Sequence, residues 1–122
     1  MIKRFDRLDI ATADLADATR LYTNNFGFSV HREGSTDDAT IKIGDAEIRL
    51  RSGAPAAEII AATGEGLAAV WLEADDLDSV AATLQRAAIG FAPIRREGDR
   101  RVLAVDPKAA NMVPLFIFDR KA

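Results

Sequence analysis

Charged side chains at alternating positions mark the part of this chain with the clearest capacity for chemistry. Arg7 and Asp9 lie two residues apart, and so do Glu47 and Arg49. In a β-strand this spacing places both members of a pair on one face of the sheet. Guanidinium groups bind carboxylates and phosphates through paired hydrogen bonds, and carboxylates ligate metals or act as bases. The pattern therefore predicts a charged face that either pairs with itself or binds an anion.

Aromatic rings and a further carboxylate occupy the corresponding positions later in the chain. Trp71 and Glu73 share one face of a predicted strand, and Phe116 and Phe118 share one face of the last strand. Flat apolar rings line many small-molecule sites, although filling of the core is the alternative. No catalytic residue is identified. The predicted ligand-binding residues are Arg7, Asp9, Glu47, Arg49, Trp71, Glu73 and Phe116.

Two other groups of residues have simpler explanations. His31, the only histidine, lies in a predicted strand and is expected to be a solvated surface residue. Arg95-Arg96 and Arg100-Arg101 flank a predicted hairpin turn at 97–99. Basic clusters of this kind are usually solvated turns, and contact with an acidic tail of a ligand is the alternative.

The elements that position these residues occur twice. Segments 8–15 and 70–77 have the same pattern, an alternating strand followed by Asp-Leu at the start of a helical stretch. Asp14 is the expected N-cap of the first helix, and Asp76-Leu77 is the corresponding helix start in the second half. The predicted strands are 4–12, 28–33, 39–43, 47–51, 67–74, 91–96, 101–105 and 113–118, and the predicted helices are 15–25, 76–88 and a short helix at 56–63.

This order predicts an α+β fold built from two tandem βαβββ modules. A single module has a sheet with one uncovered face, and two modules cover these faces by joining, with a cleft between them. We expect one domain over 1–122, made of a first module (1–52), a linker (53–65) and a second module (66–122).

Composition excludes several classes of function. The net charge of −3 argues against nucleic acid as the main partner. The chain has no cysteine, which excludes disulfides, thiolate metal sites and a cysteine nucleophile. No apolar run suggests a signal peptide or a membrane span, so we expect a cytoplasmic protein with no membrane partner.

The layout resembles the vicinal oxygen chelate superfamily, which contains glyoxalases, bleomycin resistance proteins and extradiol dioxygenases. The resemblance covers essentially the whole chain and rests on 6–22, on 66–77 and on Val105-Asp106-Pro107 leading into Asn111. It implies a curved sheet that bears a cleft. It also implies a divalent metal in that cleft, held by His, Gln or Glu side chains from the first and fourth strands of each module.

In this chain the implied ligand positions hold other residues, namely Arg7, Arg49, Ala69 and Phe116. Arginine is always protonated and has no lone pair to offer, and alanine and phenylalanine have none either. We therefore expect no metal and no cofactor. A shifted metal site built from the carboxylates Asp9, Glu47 and Glu73 is the alternative.

The leading hypothesis is a metal-free member of this superfamily that binds or sequesters a small aromatic or anionic molecule. The resemblance also implies a homodimer, because modules of the family commonly pair. One alternative is a lyase, epimerase or dioxygenase-type enzyme that uses the shifted carboxylates, or Asp9 or Glu73 as a base. Another is a structural module whose cleft is closed by ion pairs.

Overall fold

The computed structural model describes residues 1–32 and 37–122, which form two compact units. The N-unit is Arg7–Ala68, and the C-unit combines Met1–Asp6 with Ala69–Ala122. The strands are β1 (Ile2–Ala11), β2 (Val30–Arg32), β3 (Asp38–Ile43), β4 (Ala46–Arg51), β5 (Gly66–Ala74), β6 (Arg95–Glu97), β7 (Arg100–Ala104) and β8 (Leu115–Asp119). The helices are α1 (Leu15–Phe26), α2 (Gly53–Thr63) and α3 (Leu77–Arg86), and a 3₁₀ turn spans Pro107–Ala109.

The N-unit has a four-stranded sheet in the order β2-β3-β4-β1, with α1 packed on one face. β1 runs parallel to β4, and the other neighbours are antiparallel. The helix starts where the sequence predicts, because the Asp14 carboxylate accepts a hydrogen bond from the Asp17 backbone N–H at 3.0 Å. It ends at Gly27, whose φ of +68° suits a residue without a Cβ. The core between helix and sheet contains Ile10, Leu15, Ala18, Tyr22, Ala39, Ile41, Ile48 and Leu50.

The C-unit repeats this plan with the strand order β5-β8-β7-β6 and α3 on one face. β5 is parallel to β8, and β7 is antiparallel to both of its neighbours. The helix-covered face holds Leu72, Leu103, Leu115 and Ile117 together with Leu77 and Val80 of α3. The opposite face holds a separate cluster of Ala69, Trp71, Val102, Phe116 and Phe118.

The predicted α+β fold and the repeated strand-helix-strand-strand-strand order are confirmed. The apolar and the charged or aromatic faces also separate as the alternation predicts. The division into modules 1–52 and 66–122 with a linker at 53–65 stays a prediction. Within that linker α2 is longer than the predicted helix, and both changes between units fall inside strands, β1 and β5.

The predicted strand at 91–96 is wrong in extent. Phe91 forms only an isolated bridge with Val105, and β6 begins at Arg95. Pro93 lies between them and has no N–H to donate to a ladder, which explains the interruption. The end of the predicted strand at 28–33 and most of the turn after it lie outside the described residues. In the described part of the chain, no helix is both long and apolar enough to cross a bilayer.

Candidate functional site

The charged face of the N-unit is formed by β1, β4 and β3. The register places Arg7 opposite Glu47 and Asp9 opposite Arg49, so charges of opposite sign alternate across the two strands. Lys42 and Thr40 continue these two rows on β3. β1 and β4 are parallel, and the basic residue comes first in one pair and second in the other. Each basic residue therefore lies beside an acidic residue on the neighbouring strand.

Arg7 and Asp9 form a buried ion pair on this face. The Arg7 Nε donates to Asp9 Oδ1 at 2.8 Å, and the two residues are 7% and 2% exposed. The other Asp9 oxygen lies 3.8 Å from the Arg51 Nη1, and Arg51 in turn contacts Asp38 at 3.7 Å. A buried carboxylate of this kind requires cationic partners, since isolated charges are expensive to bury. The sequence predicts that this charged face either pairs with itself or binds an anion. Arg7 and Asp9 pair with each other.

Glu47 and Arg49 form a second, more exposed pair. The Arg49 Nε and Nη2 donate to Glu47 Oε2 at 3.2 and 3.1 Å, and the Lys42 Nζ lies 3.3 Å from Glu47 Oε1. Burial raises the pKa of Glu47, but the charges and hydrogen bonds of Arg49 and Lys42 outweigh it, so its pKa lies below the ordinary value. This carboxylate is consequently an anion that is already neutralised on both oxygens.

The aromatic face of the C-unit consists of Trp71, Phe116 and Phe118. Trp71 lies opposite Phe116 on the neighbouring strand, and their rings stack with centroids 4.7 Å apart and planes at 16°. Phe118 tilts against Trp71 at 6.4 Å. Trp71 is only 6% exposed and Phe118 is fully buried, whereas Phe116 is half-buried. Phe116 is therefore the ring of this face that remains open to solvent.

Glu73 lies beside these rings and is surrounded by cations. Its Oε1 accepts a hydrogen bond from the Arg4 Nε at 2.8 Å, and its Oε2 lies 3.8 Å from both Lys3 and Arg120. Glu73 is nearly inaccessible to solvent. Arg4 also binds Asp6 at 2.6 Å and Arg120 binds Asp99 at 2.9 Å, so three carboxylates balance the three cations of this cluster.

Arg100 belongs to the aromatic face, and sequence analysis missed it. Its guanidinium carbon lies 4.7 Å from the centroid of the Phe118 ring and 5.6 Å from that of Trp71. Cations are attracted to ring faces at these distances. The expectation of a solvated turn is wrong for Arg100, which is half-buried, and holds for Arg95 and Arg96, which are exposed. The signal that would have found it is alternation, since Arg100 precedes Val102 by two residues and Val102 lies opposite Phe118.

Arg101 points to the other face of the same strand and is also not a solvated turn residue. Its Nη2 and Nε donate to Asp119 at 2.6 and 3.0 Å. Asp119 is fully buried, and its Oδ2 also accepts a hydrogen bond from the Leu77 backbone N–H at 2.8 Å. Burial raises the pKa of Asp119, but the hydrogen bonds from Arg101 and from the backbone outweigh it and lower the pKa. Asp119 thus joins the end of β8 to the start of α3.

The residues at the implied metal positions do not fit a cation. Arg7, Arg49, Ala69 and Phe116 lie on β1, β4, β5 and β8, the first and fourth strands of the two modules. Two of these side chains carry positive charge, and the other two have no donor atom. Across residues 1–32 and 37–122, no cluster of three or more His, Asp or Glu side chains is arranged to hold a metal ion. The carboxylates of the alternative site each contact at least one guanidinium instead.

A surface pocket of about 390 Å³ lies elsewhere in the N-unit, between the end of β1 and helix α2. Thr12, Ala13, Gly53, Ala57, Ile60 and Ala61 line it, and none of them is a predicted site residue. The walls are mostly small apolar side chains. His31 is exposed on β2, as predicted.

Comparison with known proteins identifies the family of this arrangement. The family model described as the Glyoxalase/Bleomycin resistance protein/Dioxygenase superfamily matches residues 4–110. A search of curated proteins found no match.

Solved structures with similar folds include proteins with and without an assigned activity. A hypothetical protein from Bacillus halodurans C-125 has a TM-score of 0.76 at 17% identity, covering 98% of this chain and 95% of that one. The methylmalonyl-CoA epimerase from Mycobacterium tuberculosis has a TM-score of 0.74 at 21% identity, with coverages of 99% and 90%. A methylmalonyl-CoA epimerase in complex with methylmalonyl-CoA and ammonium has a TM-score of 0.75 at 21% identity, with coverages of 100% and 97%. Identities this low support a shared fold and no shared reaction.

Proposed function

Because this chain belongs to the glyoxalase/bleomycin resistance protein/dioxygenase superfamily, we propose that it binds a small planar organic molecule without a metal ion. The site of binding is the aromatic face of the C-unit. The observation that carries the proposal is the stacked Trp71–Phe116 pair, in which Phe116 stays half-buried while Trp71 and Phe118 are buried around it. A flat ligand that stacks on Phe116 extends this ring pair. Each offset ring pair stabilises by about 0.5–1.5 kcal/mol in addition to the free energy gained from burying apolar area.

The neighbour of Phe116 on the other side supports this location. Ala104 lies opposite Phe116 on β7, and it is half-buried as well. A methyl group is much shorter than a phenyl ring, so it leaves the edge of the Phe116 ring uncovered on that side. The row Trp71, Phe116, Ala104 therefore descends from a large ring to a small side chain.

The side chains at the positions where relatives are expected to bind a metal support the proposal of a metal-free site. Guanidinium, methyl and phenyl groups have no lone pair for a cation. The remaining predicted site residues, Arg7, Asp9, Glu47, Arg49 and Glu73, take part in ion pairs with side chains of this protein. Their role as ligand-binding residues stays a prediction, and in this proposal they shape and neutralise the surroundings.

The enzymatic alternative would use Asp9 or Glu73 as a base. Both carboxylates are buried and accept guanidinium hydrogen bonds at 2.8 Å, which occupies lone pairs that a base needs. The similarity to epimerases is a similarity of fold. We therefore place binding ahead of turnover. The homodimer, the cytoplasmic location and the absence of nucleic-acid and membrane partners stay predictions, and sedimentation velocity would test the first of them.

The test uses Trp71, the only tryptophan, as a fluorescent reporter. Benzoate and benzamide serve as flat probes of equal shape. We expect a saturable change in Trp71 emission with at least one probe, and Phe116→Ala should weaken that binding about three- to tenfold through the lost stack.

Phe26→Ala is the matched control, because it deletes the same ring from an exposed position of α1 in the N-unit. This control should leave binding unchanged. The proposal fails if neither probe gives a saturable signal, or if both alanine variants lose affinity equally.

A further inference from the structure

We propose that Arg100 makes the aromatic face selective for flat ligands that carry a carboxylate. The inference rests on the proposed function and narrows its ligand class to aromatic carboxylates. The guanidinium carbon of Arg100 lies 5.6 Å from the centroid of the Trp71 ring. The centroid of the Phe116 ring lies 4.7 Å from that of Trp71. The guanidinium and the half-buried Phe116 ring are therefore both neighbours of the same indole ring.

Arg100 is a cation whose partners are ring faces. In the described residues, no carboxylate lies within 4 Å of its guanidinium nitrogens, whereas its neighbour Arg101 binds Asp119 at 2.6 Å. Glu97 lies opposite Arg100 in the β6–β7 register and would be its natural acid. The Glu97 Oε2 instead accepts a hydrogen bond from the Arg95 Nε at 2.6 Å. The pairing of Arg95 with Glu97 thus leaves the Arg100 guanidinium available for an external anion.

A single available guanidinium favours a carboxylate over a dianionic phosphate. The other cations near the rings are already used, since Arg4 binds Glu73 and Asp6, and Arg120 binds Asp99 at 2.9 Å. A monoanion is balanced by one guanidinium, and a planar carboxylate matches the paired donors of arginine. The carboxylate of the ligand and the guanidinium of Arg100 are both planar. The carboxylate therefore stays coplanar with a ligand ring that stacks on Phe116.

The experiment compares benzoate with benzamide, which differ in charge and hardly in shape. Isothermal titration calorimetry and Trp71 emission measure both affinities in the wild type, in Arg100→Gln and in the matched control Arg96→Gln. Arg96 lies in the same hairpin, is exposed, and donates to the Lys121 carbonyl at 2.9 Å. We expect benzoate to bind about tenfold more tightly than benzamide in the wild type and in Arg96→Gln. Arg100→Gln should remove this preference by weakening benzoate alone.

Arg95→Gln provides a second variant that keeps Arg100 in place. It frees Glu97 to pair with Arg100, so benzoate affinity should fall although the guanidinium is still present. Equal affinities for the two probes in the wild type, or a preference that survives Arg100→Gln, overturn the selectivity and leave the proposed function standing. Absence of binding by both probes overturns the proposed function and this inference with it.

Discussion

Replacing Asp119 with alanine should destabilise the protein strongly, because this carboxylate is the fully buried partner of three different groups. Its Oδ2 accepts hydrogen bonds from the Leu77 N–H at 2.8 Å and the Arg101 Nη2 at 2.6 Å. Its Oδ1 accepts from the Arg101 Nε at 3.0 Å and from the Lys121 N–H at 3.3 Å. Alanine leaves the Leu77 N–H without this acceptor at the first position of α3.

The loss of stability in Asp119→Ala depends on which carboxylates still contact Arg101. Removing one partner of a buried ion pair costs about 3–5 kcal/mol. Arg101 keeps weaker contacts with Asp76 at 3.5 Å and Asp78 at 3.4 Å, which places the expected loss near the lower end, about 3 kcal/mol. For a chain of this length that corresponds to a fall in Tm of roughly 12 °C.

The variant Asp119→Asn should also be less stable than the wild type, and the difference in their free energies of unfolding should depend on pH. Each Asp119 oxygen accepts from two donors, so the amide NH₂ of Asp119→Asn would face N–H groups instead of an acceptor. The folded-state pKa of Asp119 is lowered, so its stabilisation is present above the unfolded pKa of about 3.9 and is lost as the pH falls through the folded pKa. The gap in free energy of unfolding between wild type and Asp119→Asn should therefore be constant from about pH 5 to 8 and narrow below about pH 4.

Urea denaturation followed by circular dichroism and Trp71 fluorescence measures these free energies. The control is Asp78→Ala, which removes a carboxylate that also contacts Arg101 but whose side chain is 65% exposed. That variant should lose less than about 1 kcal/mol. The reasoning is refuted if Asp119→Ala and Asp78→Ala are equally stable, or if the gap for Asp119→Asn stays constant down to about pH 2.

Two further predictions concern a glycine and metal binding. Gly53→Ala should cost about 2 kcal/mol, because φ is +78° and an added Cβ would lie 2.5 Å from the Asp37 Oδ2. Gly27→Ala, with φ of +68° and open space around it, should cost about 1 kcal/mol by the same denaturation assay, and equal losses would contradict the role of Asp37. Calorimetric titration with Ni²⁺, Mn²⁺, Co²⁺ or Zn²⁺ should show no tight stoichiometric uptake; one bound ion per chain would contradict the argument from the side chains at the ligand positions.

Strand faces and helix starts could be predicted from local sequence. Leu115 and Ile117 pack under α3 while Phe116 and Phe118 occupy the other face, because side chains in a strand alternate with a period of two. Asp14 caps its helix as predicted, and Asp76, predicted as the start of the second helix, is its N-cap; both capping hydrogen bonds join residues only two or three positions apart. The predicted extent of β6 was wrong, because Pro93 has no backbone N–H for pairing and the ladder begins only at Arg95.

The sequence by itself determined two βαβββ modules and a charged and an aromatic set of side chains, since periodicity and capping act over a few residues. Only the tertiary structure decided which partners meet. Arg100 faces the rings of Trp71 and Phe118 and not Glu97, its neighbour across the β6–β7 pair. Asp119 meets Leu77, 42 positions away along the chain, because β8 ends beside the start of α3. Such contacts depend on strand register and on the direction of side chains, which no local pattern specifies.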